Sequence, residues 1–317
     1  MRHPQAAAAN VALFHPGTLT ARRPEALWLC RYGVAVTFLQ AVVLGIVQGL
    51  TEFLPISSTA HLRIVPALFG WHFSYNHGKN DPGAAFTAVI QLGTTAAIVL
   101  YFWRELLHVT VAWFRGLYDR SVRSSLEYRL GWYLILATIP VSVFGLAFSH
   151  QIETGARNLW LIASALIVLA GALYTAERIG ARARDEEQLD TTDAIVVGGA
   201  QALALIPGAS RSGVTITAGL FRGLDRETAA RFSFLLSIPA VVLSGAYESR
   251  KISSHNGPGA GLTGVALIFA FVTGLASIAW LMRWLSRHST YIFIAYRVAL
   301  GLLLFGLLGA GVLDATN

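Results

Sequence analysis

The sequence predicts an all-α polytopic membrane protein made of two inverted-topology repeats, each a re-entrant helix-loop-helix hairpin followed by three transmembrane helices. Three observations lead there. Of 317 residues, 55% are hydrophobic and only 13% charged, against roughly a quarter charged in soluble domains, and mean hydropathy is +0.56. Long charge-free runs recur along the chain. Two stretches, AVVLGIVQGLTEFLPISSTAHLRIVPALFG at 41–70 and AIVVGGAQALALIPGASRSGVTITAGLFRG at 194–223, are weak copies of each other, and both are apolar segments broken by proline and serine.

Residues 1–35 hold prolines and scattered arginines without the apolar core and cleavage pattern of a signal peptide, so a disordered extension is expected there. Residues 36–176 form repeat 1, with its hairpin at 38–70 and charge-free runs at 84–103, 131–149 and 158–176. Each run is long enough to cross a bilayer, which takes about 18 or more residues. A cytoplasmic linker spans 177–193; its end, DEEQLDTTD, is acidic, and Asp193 is the expected N-cap of the next helix. Residues 194–313 form repeat 2, with its hairpin at 194–223 and runs at 232–247, 257–282 and 288–313, the last interrupted only by Arg297.

The broken copies make poor simple spans, because proline, hydroxyls and an ionisable residue fall near their centres. Irregular backbone survives at membrane depth only where protein or a water-filled cavity satisfies its polar groups. Arginines fill four connections: Arg104 to Arg129, Arg178 to Arg184, Arg222 to Arg231, and Arg283 with Arg287. The positive-inside rule assigns all four to the cytoplasm. Only the broken copy lies between the second and third, so it must enter and leave on one face. A hairpin does that and a single span does not.

The net charge of +7 is mostly this arginine asymmetry and gives no reason to invoke nucleic acid. The lone cysteine, Cys30, excludes an intrachain disulfide.

In the copies Gly45 pairs with Gly198 and Gln48 with Gln201; after a one-residue slip, Pro55 pairs with Pro207 and Ser58 with Ser210. What they do not share carries the chemistry. Gln48 and Glu52 are four apart and share a helix face. An intramembrane carboxylate marks function by default, and with an amide oxygen it suits Mg2+ or Ca2+, phosphate and water filling the remaining positions. Ser57 and Ser58 sit at the spacing that places a hydroxyl beside His61, an imidazole suited to acid/base or nucleophilic work. The second copy adds Ser210, Arg211, Ser212, Gly213 and Thr215. Its serines cap a half-helix whose free amides favour an anion, and Arg211 is a charged fork matched to phosphate oxygens, its partner a ligand or Glu52. Together these groups describe a phosphate site equipped for attack.

At QGLTEFLPISSTAH (48–61) and PGASRSGVT (207–215) the chain resembles the undecaprenyl-diphosphatase, or bacitracin-resistance, family, and the likeness extends along nearly everything after residue 36. The resemblance implies hydrolysis of undecaprenyl diphosphate to the monophosphate at the plasma membrane, assisted by a divalent cation, which recycles the lipid carrier for peptidoglycan. By position, Glu52, His61 and Arg211 match the family's essential residues, and Ser58, Ser210 and Thr215 its supporting hydroxyls. Many members carry glutamate where this chain has Gln48, so the metal shell here has less charge. The expected partners are a polyisoprenyl diphosphate and membrane lipids, with a homodimer as an open assembly state. The rival reading is a lipid-phosphate flippase or transporter, since inverted repeats with broken helices are typical of such proteins.

Overall fold

The computed structural model describes residues 36–73, 81–148, 158–249 and 259–316; the expectation for residues 1–35 lies outside them. Among the described residues the protein is all-helical apart from isolated bridge positions, Arg184 paired with Leu224 among them. The first broken copy becomes α1 (Phe38–Glu52) and α2 (Ser58–Leu68). Thr37 starts α1 with a capping box, exchanging hydrogen bonds with Gln40. Next come α3 (Gly83–Tyr101) and α4 (Trp103–Tyr118), which meet at a 78° bend, then α5 (Leu126–Ala147) and α6 (Leu159–Ile179). The second copy becomes α7 (Thr191–Gln201) and α8 (Arg211–Phe221), followed by α9 (Arg226–Ser249), α10 (Ala260–Leu285) and α11 (Tyr291–Gly309).

Among the described residues five helices, α5, α6, α9, α10 and α11, are long and apolar enough to cross a membrane, six if the bent α3–α4 pair is one span. Their outward faces remain apolar, as at Val143 and Phe144 on α5, Val168 on α6, Ile268 on α10 and Leu302 on α11, all exposed. That is the surface a lipid solvent requires.

Packing between the halves is reciprocal. α1 lies against α10, and α7 lies against α5, so each hairpin's first arm packs on the middle span of the opposite half. Both contacts are backbone-close. A Cβ on Gly49 would stand 2.6 Å from Ala270 O and 2.7 Å from Gly274 N, and one on Gly198 would stand 2.6 Å from Ala137 O. Small residues let helices approach in this way inside a membrane, where dispersion and hydrogen bonds replace the hydrophobic drive. The α3–α10, α6–α11, α3–α9 and α5–α9 pairs also join the halves.

The second hairpin starts and finishes at one place. Gly223 O, just past α8, accepts from the amides of Ala183 and Arg184 ahead of α7. Arg222 Nε donates to Asp193 at 2.7 Å, and Arg184 Nη2 donates to the same carboxylate at 2.6 Å. Two expectations are corrected here. Asp190, not Asp193, caps α7; Asp193 is the third helical residue, closes the capping box, and is free to bind the two arginines. The helix accordingly begins at Thr191, upstream of 194.

Candidate active site

Each hairpin restarts on a serine with the same unusual backbone. Ser57 and Ser210 cap α2 and α8, accepting from the amides of Ala60 and Gly213, and their φ angles are 76° and 70°. A non-glycine residue in that region costs of order 1–3 kcal/mol unless its surroundings fix it, and the cap bond returns about 1 kcal/mol. This shared geometry corrects the one-residue slip. Ser57, not Ser58, is the counterpart of Ser210, at the spacing that relates Gly45 to Gly198 and Gln48 to Gln201. The caps fix the register, because a proline can occupy more than one position in an irregular turn. The counterparts of Glu52, His61 and Arg211 are therefore Leu205, Val214 and Ser58.

The tips touch. Gly208 N donates to Thr59 Oγ1 at 3.4 Å, and Ser212 Oγ donates to Leu54 O at 3.1 Å. Beneath both lies Arg297 of α11, fully buried, donating to Pro55 O (3.2 Å) in the first break, to Gly208 O (3.3 Å) and Ala209 O (3.0 Å) in the second, and to Leu166 O and Ala165 O of α6. A buried charge needs compensation; five carbonyl dipoles supply it here.

At this junction Glu52 and Arg211 converge. Arg211 Nη2 is 3.4 Å from Glu52 Oε1. The other carboxylate oxygen, Oε2, accepts from Ser58 Oγ at 2.7 Å, Gln48 Nε2 at 2.8 Å and Gln91 Nε2 at 3.5 Å. Glu52, Phe53, Arg211, Ser212, Ser233, Phe234 and Ser237 line a narrow cleft. Two polar atoms there are buried and unpaired among the described residues, Arg211 Nη1 and Gln48 Oε1. An unmade hydrogen bond in such a place costs about 1–3 kcal/mol. A donor and an acceptor left open beside one carboxylate fit an anion and a cation respectively. No group of three or more His, Cys, Asp or Glu able to hold a metal occurs among the described residues. A cation here would therefore rest on one carboxylate and neutral oxygens, which suits hard ions that keep water and phosphate ligands.

His61 sits differently from its expected place. Its Nδ1 is 2.7 Å from Ser57 O and its Nε2 2.6 Å from the Tyr296 hydroxyl. The carbonyl can only accept, so Nδ1 carries the proton and, in the neutral ring, Nε2 accepts from the phenol. The imidazole bonds the serine's backbone and neither serine hydroxyl, because the ring lies on the α11 side of the cap. Ser57 Oγ instead faces Thr59 Oγ1 at 3.1 Å. Ser210 and Ser212 share a hydroxyl contact at 3.2 Å. Gly213 lies against Arg297, whose Nη1 would be 2.6 Å from an added Cβ. Thr215 is fully buried one turn below Arg211, bonded to Arg211 O at 2.7 Å and to the Ser233 hydroxyl at 2.5 Å.

The sequence reading missed Gln91, Ser233, Ser237, Tyr296 and Arg297 as site residues. Only Arg297 carried a signal, as a lone charge inside an apolar run.

The undecaprenyl-diphosphatase of Nocardia farcinica is 47% identical over 90% of this chain and all of its own length. Those of Mycolicibacterium vanbaalenii and Mycolicibacterium smegmatis are 49% and 50% identical over 88% of the chain and all of theirs. The profile of the bacitracin resistance protein BacA matches residues 41–303, from the first arm of one hairpin to the middle of α11, so that both tips and the arginine beneath them fall inside it, and the chain belongs to that family.

Proposed function

We propose that this protein is an integral membrane phosphatase of the bacterial plasma membrane that hydrolyses undecaprenyl diphosphate to undecaprenyl phosphate and inorganic phosphate, recycling the lipid carrier for peptidoglycan and conferring bacitracin resistance. The observation that carries the reading is the meeting of Glu52 and Arg211 at the junction of two half-helix N-termini. Amides in the first turns of α2 and α8 lack intrahelical acceptors, and the helix dipoles place positive potential where the tips touch. Arg211, with its Nη1 open, binds the terminal phosphate, and Ser210 and Ser212 stand beside it. The isoprenoid tail lies along the apolar outer faces of the spans.

Phosphoryl transfer is catalysed chiefly by alignment and charge neutralisation. Ser58 Oγ already donates to Glu52, so the carboxylate is positioned to take a proton from that hydroxyl or from a water replacing it, as an activated nucleophile requires. Attack on the terminal phosphorus breaks its bond to the bridging oxygen, and the lipid monophosphate leaves with that oxygen. If serine attacks, water then releases the phosphate from it. His61, held by Ser57 O and Tyr296, orders the cap of α2. Glu52 and Gln48 would hold a divalent cation, Mg2+ or Ca2+, and when bound it would supply charge neutralisation to the diphosphate. The site lies within one chain, so a homodimer would not be needed to complete it. The arginine-rich connections, placed in the cytoplasm, make the two hairpins inverted and bring the first in from the outer face.

The test is release of inorganic phosphate from undecaprenyl diphosphate by purified protein in detergent. Turnover should fall at least a hundredfold, about 2.7 kcal/mol of transition-state stabilisation, in Glu52→Gln and in Arg211→Ala. Lipid translocation by wild type without phosphate release would favour the transporter reading instead.

A further inference from the structure

The carboxylate at the centre of the site has a neighbour from outside both hairpins. Gln91 lies in the middle of α3, and its Nε2 reaches to 3.5 Å from Glu52 Oε2. Its backbone is held in place, since the hydroxyls of Thr94 and Thr95 both donate to Gln91 O, at 2.8 and 2.9 Å. α10 supports the same turn, a Cβ on Gly274 standing 3.2 Å from the Phe53 ring and 3.3 Å from Thr94 Cγ2.

Two primary amides therefore offer their nitrogen ends to one carboxylate oxygen, and the amide with no exposure, Gln48, has its oxygen unpaired. For a site that binds only anions this is a poor arrangement. A fully buried acceptor is wasted, and Oε2 is crowded with three donors while Arg211 already serves Oε1. For a site that alternates between empty and cation-bound it is a good one. An amide exchanges its donor end for its acceptor end by a half-turn about its last side-chain bond, a soft torsion. With the nitrogens inward the amides hold the carboxylate; with the oxygens inward they ligate beside it. The donor set is then Glu52 and Gln48 from α1 and Gln91 from α3, all hard oxygens on two packed helices.

We propose that Gln91 is the third oxygen donor of the cation site, completing from α3 a shell that Glu52 and Gln48 begin. The proposal rests on the cation reading given above and adds the residue that closes its open side. One negative charge among the three ligands makes the site weak alone and stronger when a diphosphate shares the ion, so that cation and substrate bind cooperatively.

The experiment is Mn2+ titration of the purified full-length protein in detergent, followed by electron paramagnetic resonance of the free ion, with and without methylenediphosphonate as a non-hydrolysable diphosphate. Wild type should bind one Mn2+, more tightly when the diphosphonate is present. Gln91→Leu should weaken binding by about tenfold or more, the range typical of losing one supporting group at a metal site, and Gln91→Glu should strengthen it by a similar factor. If wild type binds Mn2+ while both variants match it within twofold, the Gln91 assignment is overturned and the cation reading stands. If wild type binds no Mn2+ under either condition, both fall. Gln91→Glu keeps the test decisive should Gln91→Leu fail to fold.

Discussion

Replacing Arg297 with methionine probes the whole junction at once. The side chain is fully buried and donates to five carbonyls. Those of Ala165 and Leu166 lie within α6, where the helical ladder also serves them. Pro55 O, Gly208 O and Ala209 O are different: among the described residues Arg297 is their sole donor. Methionine fills similar volume but leaves three buried acceptors open, at about 1–3 kcal/mol each. Removing a buried guanidinium recovers part of that, because its own desolvation cost disappears. A net loss of about 3 kcal/mol follows, from the low end of the range. At about 2.1 cal/mol/K of unfolding entropy per residue, a chain of 317 residues shifts by about 1.5 °C per kcal/mol, so the melting temperature should drop by about 4–5 °C. The assay is thermal unfolding of wild type and Arg297→Met in the same detergent, followed by circular dichroism at 222 nm. Arg297→Lys should fall between them, since an ammonium has three donors but no fork. A melting temperature for Arg297→Met within about 2 °C of wild type would refute the claim that this side chain holds the two tips together.

Two further outcomes follow from the same geometry. Tyr296→Phe removes the donor to His61 Nε2 and leaves the Ser57 contact in place; loss of one neutral hydrogen bond, about 1 kcal/mol, should lower kcat by about fivefold with KM within twofold, measured by phosphate release, and an unchanged kcat would show that the phenol does not support the imidazole. Gln201 is fully buried with both amide atoms unpaired among the described residues, so Gln201→Leu should raise stability by about 1–3 kcal/mol, read as a higher melting temperature; a lower one would mean that the amide is satisfied by a bound group.

The parts of this protein legible in its sequence were those encoded locally. A helix that halts at proline and resumes on serine leaves its mark in about fifteen consecutive residues, and both hairpins form at the places those marks indicate. That Arg211 and Glu52 would meet was legible too, because a charge in an apolar hairpin has few uses other than to face a ligand or an opposite charge. The remaining site residues come from spans whose composition says only that they cross. Gln91 and Tyr296 become site residues because α3 and α11 pack beside the tips, and no periodicity within either helix signals that. His61 shows the limit of spacing arguments: three or four residues from a serine describes a shared helix face, but the cap turns the serine hydroxyl toward Thr59 and presents its carbonyl to the ring.

The different side chains on the two tips explain why the site needs both. With the copies aligned on their serine caps, no charged residue of one tip faces a charged counterpart in the other. Leu205 stands for Glu52, Val214 for His61, and Ser58 for Arg211. Each tip offers a half-helix N-terminus on a serine cap, and one tip supplies the acid while the other supplies the guanidinium. If both tips kept a carboxylate, two negative charges would meet at a junction meant for phosphate; if both kept arginine, no base would remain. Gln201 marks that difference. It occupies the place in the second tip that Gln48 has beside Glu52, but Leu205 gives it no carboxylate to hold. The second tip therefore carries a buried amide without a partner among the described residues, and what it contributes to the site is the arginine it presents across the junction.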